Sequence, residues 1–301
     1  MRKLIIITLL LVFSLGIYAE VSGESGFQML KITTGTVQAA MAGTSAGLVK
    51  DAFSYTENAA LGMLKPSRTI SVSQNYWIFE TSMNSLSYQY STPKTSFAIG
   101  YRYLDYGKIE SRDDIGTIIG EFHPMDLNLM MNIGRRILPN HYVGINIFGL
   151  YEKIDNSSSL GASFDLGYYY LTPLRYLKLA AAVKHLGFTG KMDEERIDLP
   201  ETFEFSAVID DISLLQDDVN LNQEIKLYKE TDDDELKVAW GTNVNIYELI
   251  DLRLGYKFNH DSQNFSGGFG IVLHNFSLDY AFLPFADEIK DVHMFGLSYH
   301  F

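Results

Sequence analysis

From about Arg68 to Phe301, apolar and polar residues alternate with period two in one segment after another. Leu252, Leu254, Tyr256 and Phe258 alternate with Asp251, Arg253, Gly255 and Lys257, and Phe276, Leu278, Tyr280 and Phe282 with Ser277, Asp279 and Ala281. Period two is the signature of a strand with one apolar and one polar face. The pattern predicts strands near 68–78, 83–91, 95–105, 122–136, 141–154, 159–171, 177–186, 201–212, 217–229, 235–246, 250–259, 263–273, 275–284 and 292–301. Soluble strands average about five or six residues, whereas a tilted strand crossing a bilayer needs about ten. Fourteen such segments predict an all-β fold, a transmembrane antiparallel barrel over residues 67–301.

The connections support this reading. Those near 137–140, 172–176, 247–249 and 274 are tight, while those near 106–121, 187–200, 229–234 and 285–291 are longer and rich in Asp, Glu and Lys. Short turns at one end and long loops at the other are the habit of outer-membrane barrels. Nineteen Tyr and 19 Phe against 2 Trp suit amphipathic ring positions at a membrane boundary. No cysteine is present, which excludes disulfides and thiolate chemistry, and a net charge of −13 argues against nucleic acid as a partner.

Met1-Arg2-Lys3 followed by the apolar run Leu4 to Tyr18 reads as a secretory signal over residues 1–19, cleaved near Ala19. With the barrel it implies the outer membrane of a diderm bacterium, with outer-membrane lipid around the wall. Phe295, Leu297, Tyr299 and Phe301 share one face of the last segment, and the terminal Phe301 resembles the signal read by the barrel-assembly machinery.

Residues 20–66 break the rule of two. Gly35 to Gly47 is rich in small residues, which suits tight packing of short helices or turns. Here the chain resembles the FadL-type outer-membrane barrels, in particular the PorV/PorQ branch. The resemblance rests on Ala39-Ala40-Met41-Ala42-Gly43, Asp51-Ala52 and Asn58-Ala59-Ala60-Leu61-Gly62. Later echoes are Val183-Lys-His-Leu-Gly187, Leu199-Pro200, Leu252-Arg-Leu-Gly-Tyr256 and Leu278-Asp-Tyr-Ala-Phe282. It implies a fourteen-stranded barrel with residues 20–66 folded inside as a hatch, although Ala59 stands where FadL-like chains commonly have proline.

The resemblance implies passage of hydrophobic small molecules across the outer membrane or, as in PorV, a non-channel role that docks the sorting domains of proteins secreted by the type IX route. Phe27, Met29, Leu30 and Ile32 are then the apolar approach on the hatch, with Asn58 at its exit. Neither reading calls for a cofactor, a metal or an enzyme. Gly43-Thr44-Ser45-Ala46-Gly47 matches the G-x-S-x-G elbow of hydrolases, but no strand precedes it, so a lipid hydrolase is the remote alternative and Ser45 is expected to be structural. The seven histidines show no ligand-like spacing, and Asp193-Glu-Glu195 and Asp232-Asp-Asp-Glu235 read as solvated loop acids.

Placing the apolar faces outward turns Arg102, Glu204, Glu224, Lys237, Arg253, Lys257 and Asp279 into the lumen, where charge avoids the bilayer. Arg253 and Asp279 lie two strands apart, roughly 9–10 Å, and the strand between them turns Gly268 and Gly270 inward. The two are expected to pair over those glycines, with Glu224 as a competing partner.

Overall fold

The computed structural model describes residues 25–192, 195–196, 198–214, 218–260, 262–286 and 290–301. The expected signal, Asp193 and Glu194 lie outside the described residues. Fourteen antiparallel strands form a closed barrel. They are β1 Arg68–Tyr76, β2 Ser82–Ser91, β3 Thr95–Asp105, β4 Met125–Leu138, β5 His141–Ile154, β6 Ser157–Leu171 and β7 Leu177–Thr189. The second half comprises β8 Thr202–Leu214, β9 Val219–Glu230, β10 Lys237–Ile246, β11 Ile250–Phe258, β12 Phe265–Leu273, β13 Phe276–Leu283 and β14 Val292–His300. Each strand pairs with its neighbours in sequence, and β1 closes on β14 from Thr69↔His300 to Tyr76↔His293. No described helix is long and apolar enough to cross a membrane, which says nothing of strands.

The alternation sorts as a barrel in lipid requires. On β1, Thr69, Ser71, Ser73 and Asn75 are buried inside, while Ile70, Val72 and Tyr76 face out. Leu252, Leu254, Tyr256 and Phe258 of β11 are likewise exposed, with Asp251 and Arg253 buried. The outer face carries aromatic pairs such as Tyr280–Phe295 at 5.3 Å and Tyr299–Phe301 at 4.8 Å between centroids.

The departures from strict alternation have local causes. Residues Ile109–Arg112 and Ile118–Phe122 form a separate hairpin beyond the wall, so β4 begins at Met125 rather than 122. β7 runs on to Thr189 through a bulge: Phe164 pairs with Leu186 and Leu166 with Val183, so Asp165 faces both Lys184 and His185. A second bulge sets Asp210 and Asp211 against Asn222. His185 and Asp211 take positive φ, 61° and 58°, as the extra residue of a bulge often must.

Residues 25–67 pack against inward-facing side chains all around this wall. The segment consists of short turns, among them helix α1, Thr36–Ala39. Thr36 Oγ1 lies 3.0 Å from Ser73 Oγ, Ala52 N donates to Ser71 Oγ at 2.9 Å, and Arg102 Nη1 donates to Ile32 O at 3.1 Å. On the far side, Ser45 and Ala46 are held by Glu224 and Ala42 N by Ser266 Oγ. Glycines let the backbones meet. A methyl group added at Gly144 would overlap Ala59 O, at Gly255 it would overlap Ala42 N, and at Gly268 it would fall 2.7 Å from the Ala40 methyl. The run of small residues and these wall glycines therefore interlock, a packing that larger side chains on either side would break.

Candidate functional site

A cavity of about 940 Å³ opens among the long loops. Its apolar lining comes from Met29 and Ile32 of the N-terminal segment, Trp77 and Ile78 of the β1–β2 connection, Leu104 of β3, and Phe285. Met29 is buried against Met83 and Leu104, and Trp77 meets Phe285 edge-on at 5.7 Å. Lys31, Asp233, Lys237 and Lys257, with His260, form a polar collar below it. Through this collar lies a second, smaller chamber of about 280 Å³, whose lining is polar and rich in Lys, Asp and Glu.

The chamber is organised by ion pairs. Lys184 stands 3.9 Å from Glu57 and 3.5 Å from Glu204, and Lys226 stands 3.4 and 3.7 Å from the same two carboxylates. Nearer the loops, Lys31 reaches Asp232 at 2.6 Å and Lys237 reaches Glu230 at 2.8 Å and Asp233 at 2.6 Å. Burial alone would raise Glu57, but Lys184 and Lys226 outweigh it and hold this carboxyl below its ordinary range. Tyr228 hydrogen-bonds His260, and burial, reinforced by Lys257 and Lys237, brings the imidazole down to about 4. His260 is therefore neutral at physiological pH.

The residues expected on an apolar approach divide. Met29 and Ile32 line the loop-end cavity, and Leu30 lines the chamber. Phe27 lines neither: it is buried with Leu30, Tyr55, Met130 and Phe148, and its N–H donates to Glu152 at 3.1 Å. Asn58 lines neither of these two cavities. Its Nδ2 donates to Ala181 O at 3.0 Å and its Oδ1 accepts from Ala60 N at 3.0 Å, so it braces a turn.

Arg102, Glu204, Glu224, Lys237, Arg253, Lys257 and Asp279 all lie on inward positions of their strands. Arg253 Nη1 lies 2.7 Å from Asp279 Oδ1. Glu224 does not compete for it. One Glu224 oxygen accepts from Ser45 N, Ser45 Oγ and Ala46 N at 2.9, 2.8 and 2.8 Å, and Arg253 instead takes Asp251 and Asn243. Ser45 thus serves the turn. Asp232 and Asp233 are not loose loop acids either: Asp232 accepts from Ser25 and Lys31, and Asp233 pairs with Lys237. Among the described residues no group of three or more His, Cys, Asp or Glu could hold a metal ion.

Sequence reasoning missed Asp165, Lys184, His185 and Lys226. Lys226 follows Glu224 by two on β9, so period two alone could have found it. Lys184 and His185 are adjacent, and only a bulge turns both inward.

No protein-family model matches the sequence, and a comparison with curated protein sequences finds no match. Solved structures do match. The toluene transporter TodX of Pseudomonas putida superposes with a TM-score of 0.63 at 11% identity, covering 88% of this chain and 97% of that one. A FadL homologue from Pseudomonas aeruginosa gives a TM-score of 0.56 at 11% identity, covering 90% and 98%. A second structure of TodX gives 0.55 at 10% identity, covering 93% and 99%. At such identity the likeness speaks for architecture, and the chain has the fold of the FadL-type outer-membrane barrels.

Proposed function

We propose that the protein is an outer-membrane barrel that takes up hydrophobic small molecules through the loop-end cavity. The observation that carries this reading is the cavity itself. At about 940 Å³ it falls in the range of small-molecule sites, and Met29, Ile32, Leu104, Trp77 and Phe285 give it an apolar surface facing the long loops. An apolar solute gains by leaving water for such a surface. The outward band of Ile, Leu, Phe and Tyr supports residence in a membrane, and the FadL-type fold supports the outer one.

Trp77 provides the test. In a Trp240→Phe background, a brominated alkane should quench Trp77 emission saturably in the purified barrel, and Ile32→Glu should remove the saturable component. Quenching that rises linearly and is indifferent to Ile32→Glu would leave the cavity without this role.

A second reading, a PorV/PorQ-type component that docks secreted proteins, is favoured by the hairpin over residues 109–122. Its Ile115 is 87% exposed and Ile119 66%, an apolar tip standing clear of the wall. Replacing Ile115, Ile118 and Ile119 with serine should abolish retention of a secreted sorting domain under this reading, while leaving Trp77 quenching unchanged.

A further inference from the structure

We propose that the charged chamber beneath the collar binds a compact oxyanion of the sulfate, phosphate or short-dicarboxylate class, held between Arg102 and Lys257 as a free ion. The argument begins with which cations already have partners. Lys31, Lys184, Lys226 and Lys237 each lie within 4 Å of a carboxylate. Arg102 and Lys257, which line the same chamber, have no carboxylate at that distance among the described residues.

Arg102 is only 4% exposed. One of its terminal nitrogens, Nη1, is spent on Ile32 O at 3.1 Å and Thr34 Oγ1 at 3.0 Å, and its Nε has no partner. A buried guanidinium with an unpaired N–H and no carboxylate in contact is strongly unfavourable. Asp165, Glu57 and Asp126 act on Arg102 only through space: none lies within 4 Å, and Asp165 is turned to Asn146 and His185 N, Asp126 to Tyr106 and Glu57 to Lys184 and Lys226. An oxyanion supplies the missing contact acceptor, and a guanidinium offers it a planar fork of donors. Lys257 adds a point charge from the opposite part of the wall, on β11.

Size and lining set the ligand class. At about 280 Å³ the chamber is smaller than sites for drug-sized ligands, yet has room for an ion with several waters at about 30 Å³ each. The alkyl tail of an anionic amphiphile would have to thread the collar of Lys31, Asp233, Lys237 and His260, whereas a free ion retains water there. Because Arg102 grips Ile32 and Thr34, the bound ion would tie the N-terminal segment to β11 through two cations. This site does not depend on what the loop-end cavity carries.

The test is calorimetric titration of the full purified barrel in an uncharged detergent, at constant ionic strength in chloride. Sulfate, phosphate and succinate form one arm, and decyl sulfate below its micelle concentration the other. One sulfate should bind per barrel, at least tenfold more weakly to Arg102→Gln and to Lys257→Gln; the second variant decides the matter if the first does not fold. No saturable heat with any of the three free anions would overturn the proposal. So would unchanged affinity in Lys257→Gln, or binding of decyl sulfate alone, which would make these cations the head-group end of the upper cavity.

Discussion

Arg253 and Asp279 meet across a strand that has no side chain to separate them. Nη1 and Oδ1 are 2.7 Å apart, and the strand between presents Gly270 at the crossing. Arg253 also donates from Nε to Asn243 at 3.1 Å and from Nη2 to Asp251 at 3.2 Å, while Asp251 is met by Lys50 of the N-terminal segment at 3.4 Å. A methyl group at Gly270 would lie 2.5 Å from Asp279 Oδ1 and 2.8 Å from Arg253 Nη2. Gly270→Ala should therefore destabilise the barrel by about 1–3 kcal/mol through overpacking. Arg253→Met should cost more, about 3–5 kcal/mol, because it strands the buried Asp279 carboxylate and leaves Asp251 to Lys50. Urea unfolding in lipid vesicles measures both, and a double-mutant cycle of Arg253 with Asp279 should show coupling above about 0.5 kcal/mol.

Ser45 and Glu224 should prove unequal. Ser45→Ala removes one hydrogen bond to a carboxylate that keeps two others, together with the acceptor of Gly47 N, a loss of about 1–2 kcal/mol. Glu224→Ala leaves the N–H groups of Ser45 and Ala46 without their acceptor and should cost at least twice as much in the same assay. Ester hydrolysis that disappears with Ser45→Ala would contradict the structural role.

The wall glycines give a way to unseat the N-terminal segment without deleting it. Gly144→Val and Gly255→Val each place atoms where the segment's backbone runs, at Ala59 and at Ala42. Both variants should still assemble as heat-modifiable barrels and should raise ion conductance in planar bilayers several-fold. Deleting residues 26–60 should raise it further. Unaltered conductance in assembled variants would show that the segment is not the barrier.

Asp51 introduces a pH dependence. Burial raises its carboxyl to about 6, against hydrogen bonds from Phe53 N and Gln38. A folded-state value above the unfolded one means stability that is fully present below about 4 and lost as pH rises through about 6. Asp51→Asn, which cannot ionise, should therefore match wild type near pH 4 and exceed it by about 1–3 kcal/mol at pH 8. Unfolding curves at the two pH values test this, and an equal gain at both would mean that the effect is not ionisation.

The barrel was legible because lipid and lumen impose opposite demands on alternate residues, and a strand such as β11 writes both demands in its sequence. Arg253 could be placed for the same reason. The chamber was less legible. At Lys184 and His185 the bulge breaks the period, so a rule that sends alternate residues inward can admit only one of the pair. Asp232 and Asp233 sit in an acidic run that resembles solvated loop, and only the three-dimensional approach of Lys31 and Lys237 gives them partners. The seat of the N-terminal segment was hidden for a different reason. A glycine such as Gly144 carries no sign of the backbone that will lie against it.

The closure of β1 on β14 governs when this protein can become whole. The N-terminal segment leaves the ribosome before every strand, yet its hydrogen bonds reach from Ser71, 19 residues after Ala52, to Ser266, 226 residues after Ala40. Few of these contacts are local, and loops of that length close slowly. A chain whose β13–β14 hairpin has not arrived has nowhere to put Ala39 and Ala40, which pack on Ala281 and Met294. The segment made ahead of the strands thus waits for the strands made last, and until then its run of small apolar residues remains a client for whatever escorts the unfolded chain.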